Sequence, residues 1–257
     1  VIDTCKSISF GVFYEGDVWD LITGKSQPGT KRIPVGDILT IPAAGSEGSD
    51  SCVISDETIS VKAGFGSPLM RPVFSIMNPE LTFTLPPYQT ACGGMDIMAH
   101  AMERYFSHTE SVETTDRMAE GFLKTMVHNL PIVLENPEDY GARAEIMLCG
   151  TFAQNDMTGV GREQDWFNHG LEHQISGFYD LAHGAGLGIS FPAWMEYLSE
   201  RMHRKTGPVC GSGMECGNGF SLSGKNCKRR GPQVEGICEE IRTSSDPSGS
   251  RHRNRTL

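Results

Sequence analysis

Apolar positions in the first third of the chain follow two different periods. Ile2, Cys5, Ile8 and Val12 recur at helical spacing through VIDTCKSISFGVF, which predicts an opening helix with these residues near one face. The short runs ILTIP and SCVIS are β-rich and bracket a loop of Gly, Ser and Ala, and RPVFSIMNPE reads as one more strand and turn. Residues 1–85 therefore predict the end of an α/β unit. The texture changes at TLPPYQT, where two prolines close the extended run and Thr90 offers an N-cap. A helix is expected from Ala91 to Tyr105, followed by helices near 112–134, 138–156, 163–178 and 190–203. GVGREQD and YDLAHGAG are the breaks between them. Residues 86–205 thus predict an all-α domain behind the α/β piece.

From Thr206 neither period persists. The 52 residues to Leu257 hold 9 Gly, 3 Pro and 7 Ser, with 8 Lys/Arg against 5 Asp/Glu, whereas the rest of the chain has 14 against 27. That composition predicts a disordered tail. Codon degeneracy supplies a reason for it. Reading the codons of Thr206 to Cys210 one base later allows Pro-Ala-Gln-Phe-Ala, and the same shift turns Met214 into a tryptophan codon. Residues 206–257 are accordingly expected to be a non-native, frameshifted tail.

The chain has 257 residues, 38% of them hydrophobic, with 12 Phe, 12 Met and 3 Trp, which is enough for a buried core. A net charge of −10 argues against a nucleic-acid partner, because phosphate binding needs a basic face. No apolar run is long enough for a membrane span, and no signal peptide is visible, so a cytoplasmic location is expected. The first residue is Val and not Met, from which the native start is expected to lie further upstream. Cys5, Cys52, Cys92 and Cys149 lie far apart and read as buried free thiols in a reducing compartment. Cys210, Cys216, Cys227 and Cys238 match no zinc-binding spacing.

Candidate chemistry lies in the helical half. Asp96 and His100 are four apart in MDIMAH, so both side chains project from one helix face and can reach one ion. His169 and His173 are four apart in FNHGLEHQI, and His183 follows just past a helix end in a glycine-rich turn. Three neutral imidazoles and one carboxylate suit Zn2+ or Fe2+, which leaves one of the five as a near neighbour and not a ligand. Taken singly, a D-x3-H pair is more often a surface pair or a cap. The segment His169-Gly-Leu-Glu172-His173 also fits H-x-x-E-H, the inverted zinc-peptidase motif, with Glu172 activating water. That zinc-hydrolase alternative leaves Asp96, His100 and His183 without a role.

Longer stretches carry a resemblance. VIDTCKSI, DVWDLITGK, LTIPAAGSE, SPLMRPVFSIMNPELTFTLPPYQTACGGMDIMAHAMERYF, TDRMAEGFLKT and HGLEHQISGFYDLAHGAGLGISFPAWM resemble the iron-containing alcohol dehydrogenase family, particularly its NAD(P)H-dependent butanol dehydrogenase branch, from Val1 to Lys205. The resemblance implies a partial dinucleotide-binding, Rossmann-like α/β domain followed by a helical metal-binding domain. It implies metal ligation by Asp96, His100, His169 and His183, and a proton-relay role for His173 near the nicotinamide. It implies nucleotide contacts at Thr40, Ser46, Ser49 and Lys62, and places Asp3 after the family's glycine-rich phosphate loop. Ala44 stands where many members have Thr.

The implied cofactors are Fe2+ or Zn2+ with NADH or NADPH. The implied reaction is interconversion of a small primary alcohol and its aldehyde, in a homodimeric parent enzyme. The family's first strands and phosphate loop belong before Val1, and its last helices after Lys205. A fragment that keeps the metal site but no longer binds nucleotide is therefore a second expectation. A third is a metal-binding module whose basic tail, KNCKRR and RHRNR, docks a partner.

Overall fold

A computed structural model describes residues 1–199, with side chains through Tyr197. The expected tail, its frameshift and its four cysteines lie outside the described residues. An α/β part comes first and a helical part second, as the periodicities predict. The α/β part contains helices α1 (Ile2–Gly11) and α2 (Trp19–Ile22) and strands β1 (Gly36–Ile38), β2 (Ser51–Asp56), β3 (Val61–Gly66) and β4 (Phe74–Ile76). Strands β1 and β4 pair in parallel from Gly36↔Phe74 to Ile38↔Ile76. Strands β2 and β3 form an antiparallel hairpin from Ser51↔Gly66 to Asp56↔Val61. The run expected as strand ILTIP leaves the ladder after Leu39, whose N–H still donates to the Ile76 carbonyl at 3.0 Å.

Helix α1 forms where expected but faces the other way. Cys5, Ile8 and Val12 are exposed, and the buried residues are Lys6, Ser7, Ser9 and Phe10. The burial of Lys6 is made possible by three acceptors: its Nζ donates to the Ser49 carbonyl (3.0 Å), Ser49 Oγ (3.1 Å) and the Ser51 carbonyl (2.8 Å). A buried cation without such partners would be prohibitive. Burial still pushes the Lys6 ammonium pKa down. Below it, Phe10, Ile22, Cys52 and Met70 form a small apolar core.

The helical part comprises α3 (Pro87–Tyr105), α4 (Glu113–Glu135), α5 (Tyr140–Gln154), α6 (Phe167–Tyr179) and α7 (His183–Ser199). From Thr90 to Tyr105, α3 is buried on every side, the mark of a central helix, and it packs against α4, α5 and α7. Thr90 does not cap it. The helix starts at Pro87, and Thr90 Oγ1 accepts from Arg143 at 3.2 Å. Asp139 caps α5, its carboxylate accepting from Ala142 N–H at 2.9 Å. Helix α7 starts at His183 and not near 190, so YDLAHGAG breaks the chain before the histidine and not after it. Cys52, Cys92 and Cys149 are buried free thiols as expected, whereas Cys5 is free and exposed. No helix among the described residues is long and apolar enough to cross a membrane.

Candidate metal centre

Three helices bring the chemistry-bearing residues to one point. Helix α3 carries Asp96 and His100, α6 carries His169 and His173, and α7 opens on His183. The approach of α7 to α3 depends on Gly184, because a Cβ there would lie 1.9 Å from the Cys92 carbonyl oxygen. That contact sets the first turn of α7 beside the turn of α3 that holds Asp96.

His169 Nε2 and His183 Nε2 each lie 3.6 Å from Asp96 Oδ1. One ligand atom from each of Asp96, His169 and His183 falls within 4.8 Å of the others. His100 adjoins this trio: its Nδ1 is 2.8 Å from the Asp96 carbonyl and 3.3 Å from Asp96 Oδ1, and its ring centroid is 4.5 Å from that of His169. His173 stands outside the trio, with its ring 5.3 Å from His183. It belongs to a second group, Glu172, His173 and His183, whose donor atoms also lie within 4.8 Å of one another.

Around the trio, the far side of each imidazole is occupied. Glu103 Oε1 accepts from the His169 N–H at 3.0 Å and meets His169 Nδ1 at 3.2 Å. Glu172 Oε2 meets His183 Nδ1. Both glutamates are fully buried. With Nδ1 engaged in this way, the Nε2 lone pairs face inward, the arrangement that orients metal-binding histidines. Asp96 Oδ1 and His169 Nε2 are buried and have no hydrogen-bond partner among the described residues. Buried polar atoms are nearly always satisfied, so orphans converging on one point fit a divalent cation between them.

The electrostatics agree with that fit. Burial pushes His100 down to about 3, so its ring is neutral. Burial opposes ionisation of Asp96, yet His100, His183 and His169 hold its carboxyl well below the usual carboxylate range. Burial alone would lower His169, but the neighbouring carboxylates of Asp96 and Glu103 raise its pKa. His173 is lowered to about 4 by burial, with His183 and Lys62 adding to the effect. Trp166 forms one wall, its ring edge-on to His100 (5.9 Å) and His169 (5.2 Å), with Arg104 stacked 4.6 Å above it.

Of the residues expected at the nucleotide, Thr40, Ser46 and Ser49 lie in the loop between β1 and β2, Asp3 lies against it, and Lys62 lies apart on β3. Thr40 is exposed at the end of β1. Ser46 Oγ donates to Asp3 Oδ1, and Asp3 Oδ2 accepts from Val53 N–H at 2.8 Å. Ser49 is buried, 2% exposed, and holds Lys6. Lys62 reaches across from β3 to the histidine cluster, 3.4 Å from Glu172 Oε2 and 3.3 Å from His183 Nδ1. The spacing of ligand types in the sequence pointed to the centre, but nothing in the sequence marked Glu103, and Glu172 was legible only within H-x-x-E-H. That motif does not assemble, because His169 and His173 fall in different groups and Glu172 turns to His183.

A nucleotide-type α/β piece joined to a helical unit with an Asp–His centre is the plan of a metal-dependent dehydrogenase. Two sequence profiles agree: "Iron-containing alcohol dehydrogenase" over residues 1–79, and "Fe-containing alcohol dehydrogenase family, C-terminal" over residues 90–221. The chain belongs to the iron-containing alcohol dehydrogenase family, which uses a divalent metal, iron or zinc, with NAD(H) or NADP(H).

It is 43% identical over 197 residues to NADH-dependent butanol dehydrogenase A of Clostridium acetobutylicum, covering 77% of this chain and 50% of that one. It is 37% identical to the NADPH-dependent aldehyde reductase YqhD of Escherichia coli, over 76% of this chain and 51% of that one. The crystal structure of NADH-dependent butanol dehydrogenase A from Thermotoga maritima superposes with a TM-score of 0.83 at 36% identity, covering 96% of this chain and 60% of that one. The chain spans about half the length of the curated relatives it matches.

Proposed function

We propose that this chain carries the catalytic metal centre of an oxidoreductase that interconverts primary alcohols of the butanol type and their aldehydes, using NADH or NADPH. Asp96, His100, His169 and His183 would hold the divalent ion. One observation carries the reading: the inward Nε2 atoms of His169 and His183 and the orphaned Asp96 Oδ1 converge while Glu103 and Glu172 fix the outer nitrogens. Fe2+ or Zn2+ held there would supply Lewis acidity toward an alcohol or aldehyde oxygen, and a bound nicotinamide would supply or accept the hydride.

The chain's own groups do the rest. Asp96, buried at 3% exposure, brings the negative charge that attracts the cation and offsets part of it. His173 is neutral, half-buried and beside His183, which suits its ring nitrogens to accept and return the substrate proton. Trp166 and Arg104 close one side of the site beside His100 and His169. Thr40 and Ser46 would face the nucleotide, with Asp3 and Ser49 holding that loop from behind through Val53 and Lys6.

Metal analysis of the full chain after loading with Fe2+ or Zn2+ is expected to find one ion per chain, and His183→Ala is expected to lose it. Full occupancy in His183→Ala would sink the assignment. Titration with NADH and NADPH tests the cofactor half: quenching or enhancement of nicotinamide fluorescence supports the enzyme reading, and no response supports a metal-binding fragment that has lost nucleotide.

A further inference from the structure

Glu172 lies between His169 and His173 in sequence, yet its carboxylate turns to neither. Its side chain is fully buried, whereas those of Lys62 and His183 remain 17% and 23% exposed. Gly186 on α7 makes room for it, since a Cβ at that position would lie 2.7 Å from Glu172 Cγ. Glu172 Oε2 meets both His183 Nδ1 and, at 3.4 Å, Lys62 Nζ. Lys62 Nζ also donates to Ser176 Oγ at 3.0 Å. Because Lys62 belongs to β3, this cluster is a polar tie between the β2–β3 hairpin and the metal centre.

Two groups compete for His183 Nδ1. A carboxylate only accepts, so Glu172 selects the tautomer with the proton on Nδ1. An ammonium only donates, so Lys62, 3.3 Å away, selects the tautomer with the proton on Nε2. Only the first leaves a lone pair on Nε2, the atom that faces Asp96. We infer that Glu172 is a positioning residue that selects the ligating tautomer of His183, and that Lys62, by pairing with Glu172, fastens the β2–β3 hairpin to the loaded centre. This inference rests on the metal-centre reading above. It implies coupling in both directions: an ion that holds His183 steadies Glu172 and Lys62, and a docked hairpin favours the ion.

The test uses the full chain titrated with Co2+ alone, followed by its visible absorption bands, together with hydrogen exchange of the β3 amides with and without Co2+. Loading the wild type is expected to slow exchange over Val61–Gly66. Glu172→Gln keeps the shape but offers Nδ1 an amide that no longer enforces the tautomer. It is expected to bind Co2+ roughly 10–100-fold more weakly, with shifted bands. Glu172→Asp, which keeps the charge, is expected to recover the wild-type bands. Lys62→Met is expected to keep those bands and lose the Co2+-dependent slowing in β3.

Wild-type affinity and bands in Glu172→Gln, or undiminished slowing in Lys62→Met, would overturn the inference while leaving the metal centre standing. Asp96→Ala and His173→Ala separate the two readings. If Asp96→Ala binds Co2+ normally and His173→Ala does not, the ion sits on Glu172, His173 and His183, and both readings fall. They fall equally if the wild type binds no Co2+.

Discussion

In the helical unit, 20 buried apolar residues share one core, whereas in the N-terminal unit Phe10, Ile22, Cys52 and Met70 make a core of four. The N-terminal unit also leaves Ile8, Val12, Phe13, Ile33, Ile38, Phe74 and Ile76 exposed. Its parallel pair turns Asp37 and Ser75 inward and Ile38, Phe74 and Ile76 outward. Parallel strands are ordinarily covered on both faces, so among the described residues this pair is a sheet with one face open. What the N-terminal unit lacks in apolar burial it replaces with polar ties: Lys6 to Ser49 and Ser51, Asp3 to Ser46 and Val53, Lys62 to α6. The difference teaches that position is held in two ways here, by packing around α3 and by hydrogen bonds around α1.

That contrast has measurable consequences. Leu130, fully buried in the helical core, is expected to cost about 2–5 kcal/mol when replaced by Ala, read as a shift in the urea midpoint. A loss below about 0.5 kcal/mol would mean that the core is not tightly packed. Divalent ion at roughly 1,000 times its dissociation constant is expected to add about 4 kcal/mol to the unfolding free energy of the helical unit. A chelator should reverse this, and an unchanged melting curve would place the ion outside that unit.

Lys6→Ala leaves the Ser49 and Ser51 carbonyls without their donor and is expected to cost about 1–3 kcal/mol, visible as faster exchange of the amides in β2. Asp139→Ala removes the cap of α5 at an expected cost of about 1 kcal/mol, checked by thermal denaturation. Ile8→Ser, on the exposed face of α1, is expected to change stability by no more than about 0.5 kcal/mol. A larger loss in that last variant would show that this face is covered in solution, and the contrast between the units would narrow.

The helical unit was more legible in the sequence than the N-terminal one, for physical reasons. Long amphipathic segments such as α4 announce themselves through a period that their own packing requires. Local propensity places the start of α7 late, because Gly184 and Gly186 look like a turn, while in the fold they serve close approach to Cys92 and Glu172. Strand β3, VKAGFG, carries two glycines and no clean alternation, so only its pairing with β2 defines it. The stripe Ile2, Cys5, Ile8 and Val12 gave the helix but the wrong inner face, because three acceptors far along the chain stabilise Lys6 inside. At the candidate centre, spacing picks out residues that the fold brings together. It does not reveal Glu103, which acts on His169 from 66 positions away.

Gly184 has one more consequence. Its backbone rests against the Cys92 carbonyl with no side chain between them, so the gap between α3 and α7 is a fixed length and not a compliant cushion. Side chains elsewhere in the core can exchange bulk with their neighbours, but this spacing has no such slack. If Asp96, His169 and His183 hold an ion as proposed, that spacing would limit the size of ion they admit, and a variant built to admit a wider one would have to begin at that backbone contact.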